Sequence, residues 1–175
     1  EGAAAVFAPQ KGASREQVVM LDKQLGLWSD LLRQNTGKDV TRLRHGGAAG
    51  GITAAMYALL NAQLVSGSEY CLTLSRFHDY LLQAGVVITG EGKIDLQSFY
   101  GKIPGTIANF CQKQNIPVYA VVGLAEKQVL PRFDKVFTMS QYARSVQDSI
   151  KNAPSYLKII AQAIVDTLYL SAYSD

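Results

Sequence analysis

The chain has 175 residues, 48% of them hydrophobic, with 17 basic and 14 acidic residues that give a formal charge of +3. This composition excludes a disordered chain and supports a packed core, and charges scattered along both halves, with no lysine or arginine cluster interleaved with aromatics, give no nucleic-acid partner. Cys71 and Cys111 fall in no metal-ligand spacing and read as buried, reduced thiols in apolar helices, while no apolar run approaches the roughly 20 residues of a membrane-spanning helix, so no membrane partner and a soluble, cytoplasmic protein are expected.

The first ten residues, EGAAAVFAPQ, lack the basic start of a signal peptide and read as the interior of a longer chain. Residues 3–7 form an apolar, strand-like segment, followed by a polar turn of Pro9, Gln10, Lys11, Gly12 and Ala13. Ser14 and Gln17 have capping-box spacing. Val18, Leu21, Leu25, Trp28 and Leu32 then recur at steps of three and four, which predicts an amphipathic helix over 14–35 with this stripe buried. A Gly-rich turn, HGGAAGG at 45–51, leads into a second helix over about 49–62, its buried face marked by Ile52, Met56, Leu59 and Leu60. A third helix is expected over 68–83, ending before Gly85.

From there the pattern changes. Val86, Val87, Ile88 and Thr89 are a β-branched run that stops at Gly90; a helix follows over 104–114, and a second strand over 117–122 stops at Gly123. Strand, loop, helix and strand at this spacing predict a βαβ unit with parallel strands and a right-handed crossover. A third strand is expected over 135–139. Two helices close the chain, one on a capping box of Ser145 and Asp148, the other with Pro154 in its first turn and Tyr156, Ile159, Ile160, Ala163, Ile164 and Leu168 on its packed face. Residues 67–175 thus read as doubly wound α/β, and residues 1–66 as the end of another domain.

In open parallel sheets ligands bind beyond the carboxyl ends of the strands, so the segment after the first strand is the leading candidate site. It reads as a loop of about 14 residues, longer than a simple βα connection needs, and holds Gly90, Glu91, Gly92, Lys93, Asp95, Gln97, Ser98, Gly101 and Lys102. A dinucleotide fingerprint would need glycine at Asp95, and a Walker A loop glycine at Leu96 and Ser or Thr at Ile103. Neither motif is present. Two carboxylates, two lysines and two glycines after a strand are nevertheless what phosphoryl-transfer sites use to hold Mg²⁺, accept a hydroxyl proton and offset phosphate charge. Glu91 and Asp95 read equally as solvated loop acids or helix caps. Lys102 gains meaning from Pro104, because a lysine beside a proline-started helix adds a cation where backbone N–H groups attract anions. In the turn at 45–51, Gly47, Gly50 and Gly51 either let the backbone approach a ligand or let two helices touch. His45 is a hydrogen-bonded loop residue or a base, and the residues alone give Lys11 a structural turn.

Four stretches carry a resemblance: EGAAAVFAPQKGA at 1–13, HGGAAGGITAA at 45–55, VVITGEGKIDLQSFYGKIPGTIA at 86–108 and PVYAVVG at 117–123. In content, order and spacing the chain resembles the glycerate kinase family of bacterial glyoxylate and sugar-acid catabolism, over nearly its whole length. The third stretch is the specific one, since GEGxxDxQ followed by GKxP is not a generic loop. The resemblance implies a flavodoxin-like, doubly wound parallel sheet with a second α/β domain inserted. Residues 1–66 would be the carboxy-terminal part of the insert, residues 67–175 that of the flavodoxin-like domain, and the active site would lie between the two. It further implies transfer of the γ-phosphoryl group of ATP, with Mg²⁺, to D-glycerate, giving 2-phospho-D-glycerate, and it allows a homodimer. On the matching positions Asp95, Glu91 and Lys102 are catalytic, with Asp95 and Glu91 also metal ligands. Gly90, Gly92, Lys93, Gly47, Gly50 and Gly51 contact the nucleotide, and Gln97, Ser98, Lys11 and His45 the substrate. Family members are roughly twice this length, so the chain reads as a fragment, inactive alone. Ala8 stands where the family tends to have Gly, and Ser98 where it tends to have Thr, which keeps the hydroxyl. The competing readings are a non-catalytic ligand-binding or regulatory remnant of the same fold and a kinase for another hydroxy acid.

Overall fold

Residues 2–172 are described in a computed structural model, in which the chain divides between Ser66 and Gly67 into two units. Among the described residues, the regular elements of the first unit are all helices. Ala3–Phe7 is a short helix, α1, not the strand expected: three consecutive alanines favour a helix, and α1 packs along α2. Helix α2 (Arg15–Thr36) begins on a reciprocal capping box, the Gln17 N–H donating to Ser14 Oγ and the Ser14 N–H to Gln17 Oε1. It stops at Gly37, which is left-handed with φ +73°. Helix α3 (Ile52–Leu60) packs on α2, and its Ala54 and Ala58 join Leu32 and Val40 in the core.

The large side chains of this unit behave otherwise than expected. Ile52, Met56, Leu59 and Leu60 of α3 are exposed, as are Leu21 and Trp28 of α2. Close approach of the two helices selects the alanine face of α3 and turns its bulky face outward. In addition, the 22 residues of α2 span about 33 Å, whereas α3 has 9 residues and α1 only 5, so their covering length is far shorter.

The second unit is doubly wound α/β. Helices α4 (Gly67–Leu74) and α5 (Phe77–Leu81) replace the single helix expected over 68–83, because Arg76 adopts φ +54° and ends the first run while its side chain pairs with Asp79 at 2.8 Å. Strands β1 (Val87–Ile94), β2 (Val118–Ala125) and β3 (Lys135–Thr138) form a parallel sheet in the order β1-β2-β3. The edge of β1 away from β2 has no strand beside it among the described residues. Helix α6 (Ile103–Gln114) connects β1 to β2, and α7 (Val146–Lys151) and α8 (Ala153–Ala172) close the chain. Alternate β2 residues feed two cores: Val118, Ala120 and Val122 pack with Leu72, Leu81, Ile107, Ala108 and Cys111, and Tyr119 packs with Ile160 and Ile164 of α8. Helices therefore cover both faces of the sheet. Each fully buried aliphatic side chain contributes about 1.5–3 kcal/mol.

Three details correct the expectations. Cys71 is exposed and only Cys111 is buried. Ile159 points outward on α8, whose core contacts are Ile160 and Ile164. Ser145 accepts the Asp148 N–H, but the Asp148 carboxylate takes the Arg144 N–H, so that capping box is not reciprocal. Among the described residues no helix is long and apolar enough to cross a membrane.

The strands are also longer than their β-branched runs. β1 continues through Gly90, Glu91, Gly92 and Lys93, and β2 past Gly123, in the register Glu91↔Val122, Lys93↔Leu124 and Ile94↔Ala125. Glycine permits this. A Cβ on Gly90 would stand 2.7 Å from the Val121 carbonyl oxygen, and one on Gly123 would collide with that of Gly92. Much of the expected loop is therefore strand, which fixes Glu91 and Lys93 on a rigid element.

Candidate functional site

Immediately beyond β1 the chain turns on Asp95. Its Oδ1 accepts the Gln97 N–H at 2.9 Å and caps a 3₁₀ turn, Leu96–Phe99. Ser98, fully buried, accepts the Asp95 N–H at 3.3 Å and donates its own hydroxyl to Glu91 Oε2 at 3.0 Å. The turn is anchored by Phe99, whose ring packs 5.9 Å from that of Phe133. Gly101, at φ +94°, reverses the chain into Lys102, the residue that precedes α6. Gly105 then lets the turn lie directly on α6, since a Cβ there would collide with the Ser98 carbonyl oxygen.

Two ion-paired groups result. Lys102 Nζ lies 3.2 Å from Glu91 Oε1. Lys93 Nζ lies 3.3 Å from Asp95 Oδ2 and 2.9 Å from Glu126 Oε1. The lysine side chains are about half exposed, at 53% for Lys93 and 46% for Lys102, whereas Asp95 and Glu91 are more enclosed, at 20% and 26%. The Glu126 hydrogen bond, then that of Asp95, holds the Lys93 ammonium above the usual lysine range. The same contact with Lys93, with help from Gln128, holds the Glu126 carboxyl below its ordinary value. Pairs this exposed contribute little to folding, because water screens them. What the cluster offers is chemistry: partly exposed ammonium groups on long stems beside carboxylates that a compact turn holds still. Of the structural readings of Asp95 the cap is realised: Oδ1 caps the turn, while Oδ2 faces Lys93.

Glu126 was not among the residues expected from the sequence. It stands 33 positions from Lys93 and follows β2 directly, its own N–H donating to the Ile94 carbonyl at 3.0 Å. The rule that ligands gather at strand carboxyl ends, applied to the second strand as well as the first, would have found it.

The remaining expected residues belong to the first unit. His45, Ala49, Gly50 and Gly51 all have positive φ, and Gly51 starts α3. A Cβ on Gly47 would stand 3.0 Å from that of Ala3, so its small size serves the contact with α1, whereas the space around Gly50 is open. The Thr53 hydroxyl lies 2.8 Å from the His45 carbonyl and 2.9 Å from that of Gly46, tying the turn to α3. Lys11 ends an exposed 3₁₀ turn, Pro9–Lys11.

A family profile described as the glycerate kinase family matches residues 1–169. The chain is 35% identical over 168 residues to a glycerate kinase of Halalkalibacterium halodurans, covering 94% of this chain and 44% of that protein. It is 40% identical over 122 residues to a glycerate 2-kinase of Escherichia coli, covering 70% of this chain and 32% of the other. A crystal structure from Salmonella typhimurium, assigned provisionally as glycerate kinase 2, matches with a TM-score of 0.66 at 36% identity, over 98% of this chain and 45% of that one. The chain therefore spans less than half the length of these relatives.

Proposed function

The chain belongs to the glycerate kinase family, and on that premise we propose that, within its whole protein, it handles phosphate in the ATP-dependent phosphorylation of D-glycerate to 2-phospho-D-glycerate. The observation that carries this reading is the convergence of Lys93, Lys102, Glu91 and Asp95 at the carboxyl end of β1. In such a reaction the substrate hydroxyl oxygen attacks the γ-phosphorus and the bond from that phosphorus to the β,γ-bridging oxygen breaks. ADP leaves, and the hydroxyl proton passes to a carboxylate. Lys93 and Lys102 offset the phosphate charge. As phosphate engages Lys102 it frees an oxygen of Glu91, and as phosphate shares the Lys93 ammonium it loosens that of Asp95, so that these carboxylates take the proton or a metal ion.

Among the described residues no three His, Cys, Asp or Glu side chains group to cage a metal. Mg²⁺ needs no such cage: it binds through one or two carboxylates together with phosphate oxygens and water, and Asp95 and Glu91 fit that donor set. Bound there, it would neutralise charge on the transferring group. Ser98 holds Glu91 in place while Gln97 faces the substrate, and Gly92 leaves the strand bare for the nucleotide, whereas Gly90 serves the pairing with β2. Among the described residues, no other segment comes within 4 Å of where a Gly92 Cβ would stand.

The test is ADP release by the whole protein with D-glycerate, the product identified by phosphorus NMR. Asp95→Asn slows turnover by about a hundred- to ten-thousandfold; turnover like that of the unaltered protein removes Asp95 from the chemistry. Preference for another hydroxy acid overturns the substrate, and nucleotide binding without turnover replaces catalysis by ligand binding.

A further inference from the structure

Lysine has a long side chain rich in rotamers, so a phosphate-binding lysine on a flexible stem loses freedom each time it engages its ligand. Lys93 is spared much of that loss. Its backbone is fixed in β1, and its ammonium is gripped from two sides, by Asp95 at 3.3 Å and by Glu126 at 2.9 Å. Of the two partners, Asp95 has other work, capping the turn through its second oxygen. Glu126 is held in turn at both ends: its N–H donates to the Ile94 carbonyl of β1 at 3.0 Å, and its Oε2 accepts from Gln128 Nε2 at 2.8 Å.

We infer that Glu126 is a positioning residue, which holds the Lys93 ammonium at the joint carboxyl ends of β1 and β2 where the terminal phosphates of a nucleotide arrive. This rests on the phosphate-handling reading of the site given above. Glu126 acts through Lys93 alone, and its removal weakens the capture of phosphate while leaving the transfer step intact. Prior immobilisation of one long side chain is worth about a two- to tenfold change in affinity.

The experiment uses the whole protein and measures MgATP affinity by calorimetry alongside ADP release, for Glu126→Gln, Glu126→Asp, Lys93→Met and the double variant Glu126→Gln with Lys93→Met. Expected for Glu126→Gln is a rise of about fivefold in both the Kd and the KM for MgATP, with kcat and the KM for D-glycerate within twofold. Glu126→Asp recovers most of the affinity. In the Lys93→Met background the Glu126→Gln change has no further effect, the non-additivity of two groups that act as one. An unchanged MgATP affinity in Glu126→Gln, or an equal loss in the Lys93→Met background, overturns the inference while turnover by the unaltered protein leaves the kinase reading standing. Conversely, weakened MgATP binding in Glu126→Gln without any turnover of glycerate by the unaltered protein sinks the kinase reading and keeps this one. Failure of the unaltered protein to bind MgATP overturns both.

Discussion

Gly105 is the third residue of α6 and has an ordinary helical backbone without positive φ. Helix propensity alone says that Gly105→Ala stabilises, by about 1 kcal/mol. The structure reverses that sign. The added Cβ collides with the Ser98 carbonyl oxygen and would lie 2.8 Å from Phe99 Cα, both backbone atoms that cannot swing aside as a side-chain tip can. Relief requires lifting the Leu96–Phe99 turn from α6, which strains the Ser98 hydrogen bond to Glu91 and the packing of Phe99 on Phe133. Overpacking of this kind costs about 1–3 kcal/mol, and disturbing the buried hydroxyl adds about 1 kcal/mol. With the propensity gain set against them, the variant is less stable by about 1–3 kcal/mol, and turnover falls although no charged group has changed. Gly26→Ala, in the middle of α2 with nothing within 4 Å of the new methyl, is the matched control and gains about 1 kcal/mol. Urea unfolding of the whole protein followed by circular dichroism, with ADP release on the same samples, measures both variants. A Gly105→Ala protein as stable and as active as the unaltered one would refute the reasoning.

Burial pushes the Cys111 thiol up to about 11, so in the folded protein it carries almost no thiolate at pH 8, whereas Cys71 is exposed. Alkylation at pH 8 followed by peptide mapping should label Cys71 in the native protein and Cys111 only after unfolding; early labelling of Cys111 would contradict its burial. The Asp148 carboxyl is held below its ordinary value by hydrogen bonds from the Arg144 N–H, the Tyr156 hydroxyl and the Asn152 amide, in that order. A depressed carboxyl stabilises the fold above its unfolded value of about 3.9, and that contribution is lost as pH falls through the lower folded value. Urea midpoints of Asp148→Ala should therefore lie below those of the unaltered protein at pH 7, with the gap narrowing as the pH falls below the unfolded value; a gap that stays constant on acidification would mean that the carboxylate charge is not the cause.

Where local chemistry decides the structure, the sequence could be read directly. The Ser14 and Gln17 pair capped α2 as its spacing required, and the β-branched runs at 86–89 and 117–122 located two of the three parallel strands. Where a distant partner decides, it could not. Gly90 and Gly123 read as chain breakers, yet they are the residues small enough for β1 and β2 to pair on to Ile94 and Ala125. Glu126 enters the cluster only through that register. In α3 the i,i+4 spacing of Ala54 and Ala58 is as periodic as that of Ile52 and Met56, and nothing within the helix says which face α2 will touch. The carboxylates and lysines at 91–102 were legible as a set because chain order already places them at one strand end.

The open side of β1 bears on how this chain behaves in the test tube. The backbone donors and acceptors on that outer edge meet no described strand, with Ile88 half exposed alongside. Such a margin is a template on which a second molecule can add its own strand. Glu91 and Lys93 interrupt it with charge only over its later half. Residues 1–175 prepared by themselves should therefore self-associate as concentration rises, starting at Val87–Thr89, and a lysine at Ile88 should delay it.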